Sequence, residues 1–275
     1  MNRNETTLVV GGTGKTGRRV VERLQQLGLP FRIGSRSARL AFDWEDRNTW
    51  APAFDGIAKA YVTYNPDLCV PGAVETVQSF FSQAVDSGVR KLVLLSGRGE
   101  VEAEHAEQVL KECGADWTIL RYSFFSQNFS ENFFLDPIMA GEVALPVTDV
   151  GEPFVDAEDI ADAAVASLTE PGHSGKLYEL TGPRAFTFAD AIREIAQVTR
   201  RDIRYLSISP DEYRTALLQA QVPSEVIELI LYLFGTVLDG RNTPVANGVQ
   251  QALGRAPRDF TEYVQRTAAS GVWGT

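Results

Sequence analysis

Leu8-Val9-Val10 runs into Gly11-Gly12-Thr13-Gly14-Lys15-Thr16-Gly17, followed by Arg18-Arg19-Val20-Val21. A short β-branched run, a glycine-rich turn and an amphipathic stretch make up a site that can hold a diphosphate. The glycines allow a tight turn and close approach of backbone to the anion, and the helix that follows presents free N–H groups and a positive dipole end. Gly12-x-Gly14-x-x-Gly17 and Gly11-x-x-Gly14-x-x-Gly17 both fit a dinucleotide fingerprint in its required strand–turn–helix setting. Gly14-Lys15-Thr16 also resembles the end of a nucleotide-triphosphate loop. That motif needs a glycine at position 9, which is Val9.

The second half of such a site lies at the end of the next strand. Folds that prefer NAD place Asp or Glu there to hold the ribose 2′-hydroxyl. Here Phe31-Arg32-Ile33-Gly34-Ser35 continues into Arg36-Ser37, and no acidic residue occurs from Gly28 to Phe42. Arg36 is placed to clamp a 2′-phosphate, with Ser35 or Ser37 donating a hydroxyl, so the expected cofactor is NADP(H). Asp43 could accept from the adenine amino group. Trp44 could stack or simply pack.

Dehydrogenases of the short-chain type use Tyr-x-x-x-Lys, with Tyr as general acid. None of the eight tyrosines has Lys four residues later, and the stretch that should carry the pair, Glu100-Val101-Glu102-Ala103-Glu104-His105-Ala106-Glu107, has no tyrosine. These residues argue against alcohol–ketone interconversion by that route. Two readings survive. One is hydride transfer to a bulky, apolar, electron-poor acceptor (a quinone, enone or iminium ion) that needs little protein-donated acid. The other is a non-catalytic NADP(H) sensor working through a protein partner. A dinucleotide-dependent isomerase is a third option.

Positioning these residues requires alternating strands and helices. Strands are expected at Thr6–Val10, Phe31–Ser35, a short third segment ahead of Asp43-Trp44, Ala60–Tyr64, Lys91–Ser96, Trp117–Arg121 and Lys176–Leu180. Amphipathic helices fit Lys15–Leu27, Gly72–Ser87, Glu102–Cys113 and Asp156–Leu168, and Gly28, Gly88 and Gly114 each stand where a helix-ending glycine belongs. Thr187 caps a helix over Phe188–Val198, and Ser209-Pro210-Asp211-Glu212 is a capping box. The expected fold is α/β: a Rossmann doubly wound parallel sheet with a small α-rich C-terminal lobe. Residues 1–182 form the NADP(H)-binding domain, which also receives part of 183–208. Residues 183–275 form the mostly helical substrate-side lobe, with a soft boundary, packed over the sheet's carboxyl edge.

The 275-residue chain is 44% hydrophobic and 23% charged, with a formal net charge of -10. Its basic clusters (Arg18-Arg19, Arg32 to Arg39, Arg200-Arg201) include no run suited to nucleic acid, and the acidic balance gains nothing from an anionic membrane. Cys69, Cys113, His105 and His173 lack metal-ligand spacing, so no metal is expected. With no signal segment and little cysteine, the chain is expected to be soluble and cytoplasmic.

The segments Gly11–Gly17, Gly34-Ser35-Arg36, Phe42-Asp43-Trp44, Leu94-Leu95-Ser96 and Asp116-Trp117-Thr118-Ile119-Leu120-Arg121, followed by Phe124-Phe125-Ser126-Gln127-Asn128-Phe129, resemble the NmrA-like atypical short-chain dehydrogenases/reductases. That group includes NADPH quinone reductases, clavine-type reductases and redox-sensing regulators. Phe42-Asp43-Trp44 and Asn128-Phe129-Ser130-Glu131 look most like the clavine branch. The resemblance implies dinucleotide contacts at the glycine loop, Ser35-Arg36, Asp43, Thr63-Tyr64-Asn65, Ser96 and Tyr122. Tyr122 departs from the proline expected after Leu120-Arg121.

Ser96, Tyr122 and Asn128 are the candidate catalytic residues, with Ser96 expected to face the nicotinamide or else to cap local backbone. Arg98 follows in a loop and could reach phosphate or solvent. Phe124 and Phe125, with Tyr213 and Tyr232 opposite, are candidates for an apolar substrate wall, although most rings of the aromatic stretch from Tyr122 to Phe134 are expected in the core. His105 reads as a surface residue and His173 as part of a surface turn.

Overall fold

The computed structural model describes residues 5–147 and 149–274. In chain order its elements are β1 (Thr6–Val10), α1 (Lys15–Gln26), β2 (Phe31–Gly34), α2 (Trp50–Phe54), β3 (Ile57–Val62), α3 (Ala73–Asp86), β4 (Lys91–Gly97), α4 (Val101–Glu112), β5 (Asp116–Tyr122) and α5 (Leu135–Ala140). There follow β6 (Glu142–Leu145), β7 (Gly151–Glu152), α6 (Ala157–Thr169), β8 (Lys176–Glu179), β9 (Phe186–Thr187), α7 (Phe188–Thr199), β10 (Arg204–Ser207), α8 (Pro210–Gln219), α9 (Ser224–Tyr232), α10 (Gly248–Leu253) and α11 (Phe260–Ala269).

These elements form two compact units. The first holds residues up to Tyr122, then Ala157–Leu180 and Asn247–Arg255. Its six strands run parallel in the order β2-β1-β3-β4-β5-β8. The order turns back at β1, between β2 and β3, and that reversal is where an open α/β sheet leaves a crevice at its strands' carboxyl ends. Leu8, Val9, Val10, Val62, Leu92, Val93 and Leu94 are fully buried, as expected for strands covered on both faces. One face packs on Phe80, Phe81, Val77 and Leu110 of α3 and α4. α1 lies against α6, joined by ion pairs from Arg19 and Arg23 to Glu158 and from Arg23 to Asp162. Gly28, Gly88 and Gly114 end their helices at φ of 66°, 94° and 90°, a region that costs any residue with a Cβ.

The second unit holds Ser123–Asp156, Thr181–Ala246 and Ala256–Thr275. It has a parallel pair, β6 with β10, and an antiparallel pair, β7 with β9. Its core gathers Phe124, Phe129, Phe134, Phe154, Phe188, Phe234 and Phe260, and the buried Trp273 indole donates to the Phe129 carbonyl at 2.9 Å. The Thr187 cap on α7 and the Ser209–Glu212 box on α8 form as expected. Residues 183–275 are mostly helical, but the chain passes between the units several times rather than once near residue 182.

Several expectations need correction. The short third strand is only an isolated bridge between Ser35 and Ala41, because the following residues turn on side-chain caps. Asp43 accepts from Glu45 N, and Asp46 from Asn48 N. The strand expected at Ala60–Tyr64 runs instead from Ile57 to Val62. His173 is buried rather than on a surface turn. Its Nδ1 lies 3.0 Å from the Tyr178 hydroxyl, and its carbonyl accepts from Thr118 Oγ1.

Candidate active site

The glycine loop is built by close backbone contacts. Gly11 N donates to Gly34 O at the end of β2, and Gly14 N donates back to Gly11 O, each at 2.8 Å. Gly11 sits at φ 70°. A Cβ on Gly17 would lie 2.1 Å from Gly11 O and 2.8 Å from Gly12 Cα, so only glycine lets α1 start this close to the turn. Gly14 is the N-cap of α1 and supplies no side-chain cap. A helix N-terminus of this kind is where anions bind, through backbone N–H groups and the positive dipole end.

The loop and the end of β3 are tied together across the strand-order reversal. Thr63 Oγ1 donates to Val10 O at 3.2 Å. Trp44 holds that segment from the side: its indole N–H donates to Thr63 O at 3.2 Å, and its ring packs on Tyr64 and Phe80 at 4.9 and 4.8 Å between centroids. Trp44 thus reads as a packing residue that positions Thr63 and Tyr64. Asn65 is exposed. The Asp43 carbonyl accepts from the Trp50 indole at 2.7 Å.

At the end of β2, Ser35 and Ser37 hydroxyls lie 3.3 Å apart, and Arg36 and Arg39 are exposed. Two arginines of the flanking basic clusters have structural work instead. Arg32 donates to the carbonyls of Ala53 and Asp55 at 2.8 Å, closing the end of α2, and Arg19 is paired with Glu158.

Ser96 is the penultimate residue of β4. Its side chain points to α4 and donates to Glu107 Oε1 at 2.7 Å. Glu107 is fully buried and also receives both Nε and Nη2 of Arg121 at 2.6 Å. Those hydrogen bonds raise the Arg121 pKa above its ordinary value against the opposing effect of burial. This triad was not legible in sequence. A glutamate on an amphipathic helix ordinarily reads as solvent-facing, and only the Ser96 and Arg121 side chains pointing to the same face reveal it. Arg98 is likewise buried, with its Nε 3.3 Å from Glu179.

Tyr122 pairs with Gly97 across β4 and β5, and its carbonyl accepts from Arg98 N at 2.7 Å. Burial, then Asp67 and Glu100, push its phenol well above the usual value. Glu100 follows β4 as the N-cap of α4, yet makes no side-chain cap. Its carboxyl folds back over Gly97, toward Asp67 and Cys69. Burial first, then Asp67, push Glu100 up to about 9, and burial pushes the Cys69 thiol up as well.

Asn128 and the rings expected to form a substrate wall all belong to the second unit. Phe124 packs on Phe188 and Phe234 at 5.8 and 6.1 Å, and Tyr213 on Phe234 at 5.8 Å. Phe125 is buried, and its carbonyl accepts from Asn128 N in a tight turn. Tyr232 is half-buried near the end of α9, and Phe133 is the exposed ring of the aromatic stretch.

No protein-family model matches the chain. It is 31% identical over 277 residues to (4-alkanoyl-5-oxo-2,5-dihydrofuran-3-yl)methyl phosphate reductase of Streptomyces griseus subsp. griseus, covering 93% of this chain and 95% of that protein. The chain belongs to the NmrA-like atypical short-chain dehydrogenases/reductases. It is also 29% identical over 286 residues to an NAD(P)H azoreductase of Xenophilus azovorans, covering 96% and 98% of the two chains. Among solved structures, the NADPH-dependent quinone oxidoreductase QOR2 of Escherichia coli superposes with a TM-score of 0.78 at 19% identity, over 94% of this chain and 99% of that one. That likeness carries the Rossmann fold. Among the described residues, no helix is long and apolar enough to cross a membrane.

Proposed function

We propose that the chain is an NADP(H)-dependent reductase that delivers hydride to a bulky, apolar, electron-poor acceptor such as a quinone, enone or iminium ion. The observation that carries this reading is an intact dinucleotide loop in a chain whose helix α4 lacks the tyrosine of the ordinary catalytic pair. The Ser96 hydroxyl beside α4 donates to Glu107. The reductase names of the relatives support the same direction.

The residues fit the cofactor. A Cβ on Gly17 would fill the turn, and α1 begins without a side-chain cap. Gly11, Gly12, Thr13, Gly14, Lys15, Thr16 and Gly17 would hold the pyrophosphate, and Arg36 with Ser35 the 2′-phosphate. Asp43 would meet the adenine, and Thr63, Tyr64, Asn65 and Tyr122 would lie along the remainder at the carboxyl ends of β3 and β5. Bound in reduced form, the cofactor supplies a hydride. The chain's own contribution is position and a water-poor surface: Trp44 fixes Thr63 and Tyr64, and the Thr63 hydroxyl fixes the end of β1.

The test is consumption of NADPH against a panel of quinones, conjugated enals and a cyclic iminium, with NADH in parallel. Turnover that favours NADPH with one acceptor class supports the proposal. Tight NADPH binding without turnover on any acceptor refutes it and leaves the sensor reading.

A further inference from the structure

The geometry around Gly97 assigns a proton donor. We propose that buried Glu100 and half-buried Asp67 form an acid pair that holds one proton at the carboxyl ends of β3 and β4, and that Glu100 gives this proton to the acceptor during reduction. The inference rests on the reductase reading and adds the residue that completes its chemistry.

The placement is specific. A Cβ on Gly97 would fall 2.2–2.5 Å from the carboxyl atoms of Glu100, so the carboxyl lies directly on the last residue of β4. Asp67 reaches the same point from the segment after β3, and a carboxyl oxygen of Asp67, one of Glu100 and the Cys69 Sγ all lie within 4.8 Å of one another. Residues 63–69 run from the hydroxyl that bonds Val10, beside the glycine loop, to this cluster. The acid pair thus stands on the same sheet edge as the dinucleotide loop, where ligands of open α/β sheets bind.

The chemistry follows from burial. Glu100 is 5% exposed, and its Oε2 has no hydrogen-bond partner among the described residues. Two ionised carboxylates are acceptors only, so facing each other they leave lone pairs unmet and repel. A proton on Glu100 turns the same contact into an O–H···O hydrogen bond to Asp67. The neighbours acting on Glu100 are acidic or hold their own protons. Asp67 and Cys69 follow β3 and Glu102 lies in the first turn of α4, while Tyr61 from β3 and Tyr122 from β5 belong to the same cluster. Burial and Asp67 together raise Glu100 to about 9, leaving it a carboxylic acid at neutral pH.

Reduction of an enone or a quinone adds a hydride to one atom and a proton to another, whereas an iminium ion takes up hydride alone and does not draw on Glu100. The electron pair arrives with the hydride from reduced dinucleotide, which is oxidised. The Glu100 O–H bond breaks, its electron pair stays on the carboxylate, and a new O–H or C–H bond forms on the acceptor. Solvent returns a proton to the pair between turnovers.

Infrared spectroscopy of the dinucleotide-free full chain tests the proton directly. The expected result is a protonated-carboxyl C=O band at neutral pH that fades only toward pH of about 9 and is missing in Glu100→Gln. A band already lost in the ordinary glutamate range overturns the proposal. In turnover with an enone or quinone, Glu100→Gln should bind NADPH as the parent does and lose about a hundredfold in kcat, together with the alkaline limb of the pH profile. An unchanged kcat and profile also overturn it. If Glu100→Gln does not fold, Asp67→Asn should shift both the infrared transition and the alkaline limb to lower pH, and no shift counts against the pair. NADPH binding without consumption on any acceptor sinks the reductase reading and the donor role together. An ionised Glu100 in a working reductase sinks the donor role alone.

Discussion

Ser96 Oγ donates a 2.7 Å hydrogen bond to Glu107, a fully buried carboxylate that Arg121 also grips through two nitrogens. The serine at the end of β4 therefore serves the sheet–helix joint. Ser96→Ala should lower stability by about 1.5–3 kcal/mol, the scale of a hydrogen bond to a charged group, while kcat stays near the parent value. Arg121→Leu should cost about 3–5 kcal/mol, because it strands a buried charge. Chemical denaturation of both variants, with kcat measured alongside, checks this. A large kcat loss in folded Ser96→Ala would return that residue to the chemistry.

Arg36 is the exposed guanidinium at the end of β2, while Arg32 is spent on backbone carbonyls. Arg36→Ala should weaken NADPH binding by roughly 1.5–3 kcal/mol and leave NADH binding nearly unchanged. Fluorescence titration with each dinucleotide reads the difference. Equal losses for both would remove Arg36 from the 2′-phosphate.

Two glycines separate packing from backbone strain. Gly17→Ala puts a Cβ 2.1 Å from Gly11 O, which forces the loop apart and should abolish dinucleotide binding. Gly28 has φ 66° but nothing within 4 Å of an added Cβ. Gly28→Ala should cost about 1–2 kcal/mol of stability and leave binding intact. Loss of binding in Gly28→Ala with a folded chain would contradict this division.

Stability should carry a signature of Glu100. In the unfolded chain it ionises from about its ordinary value of 4.5, whereas the folded chain holds the proton to about 9. Between those values the unfolded state binds fewer protons, so this group's contribution is fully present below the lower value and is lost as pH rises to the upper one. The slope approaches about 1.4 kcal/mol per pH unit inside the window. Other carboxylates, such as Glu158 held down by Arg23 and Arg19 against burial, add slopes of opposite sign at acid pH. The comparison that isolates Glu100 is therefore parent against Glu100→Gln in urea from acid to alkaline pH. Parallel curves would show that Glu100 ionises normally in the fold.

The sheet was legible because its strands are continuous apolar runs and its turns carry glycine where φ is positive. Thr187 and the Ser209–Glu212 box announced their helices through cap chemistry that acts within four residues. What escaped was everything set by which way a side chain points across elements. Ser96 has a residue type suited to either face of β4, and Glu107 and Glu100 sit among acidic neighbours that read as one solvated stretch. His173 lies between Gly172 and Gly175, the mark of an exposed turn, yet its ring meets Tyr178 five residues later in β8. The third strand failed for a related reason: Leu40-Ala41-Phe42 is apolar enough, but Asp43 and Asp46 fold the following chain into capped turns.

The central claim is hydride transfer from NADPH, and the most direct measurement is turnover with NADPH deuterated at the transferring carbon against a conjugated enal or cyclic iminium. The account predicts slower turnover with the label and deuterium carried into the reduced acceptor. NADPH that binds tightly and stays unoxidised with every acceptor, or a product free of deuterium, would contradict it.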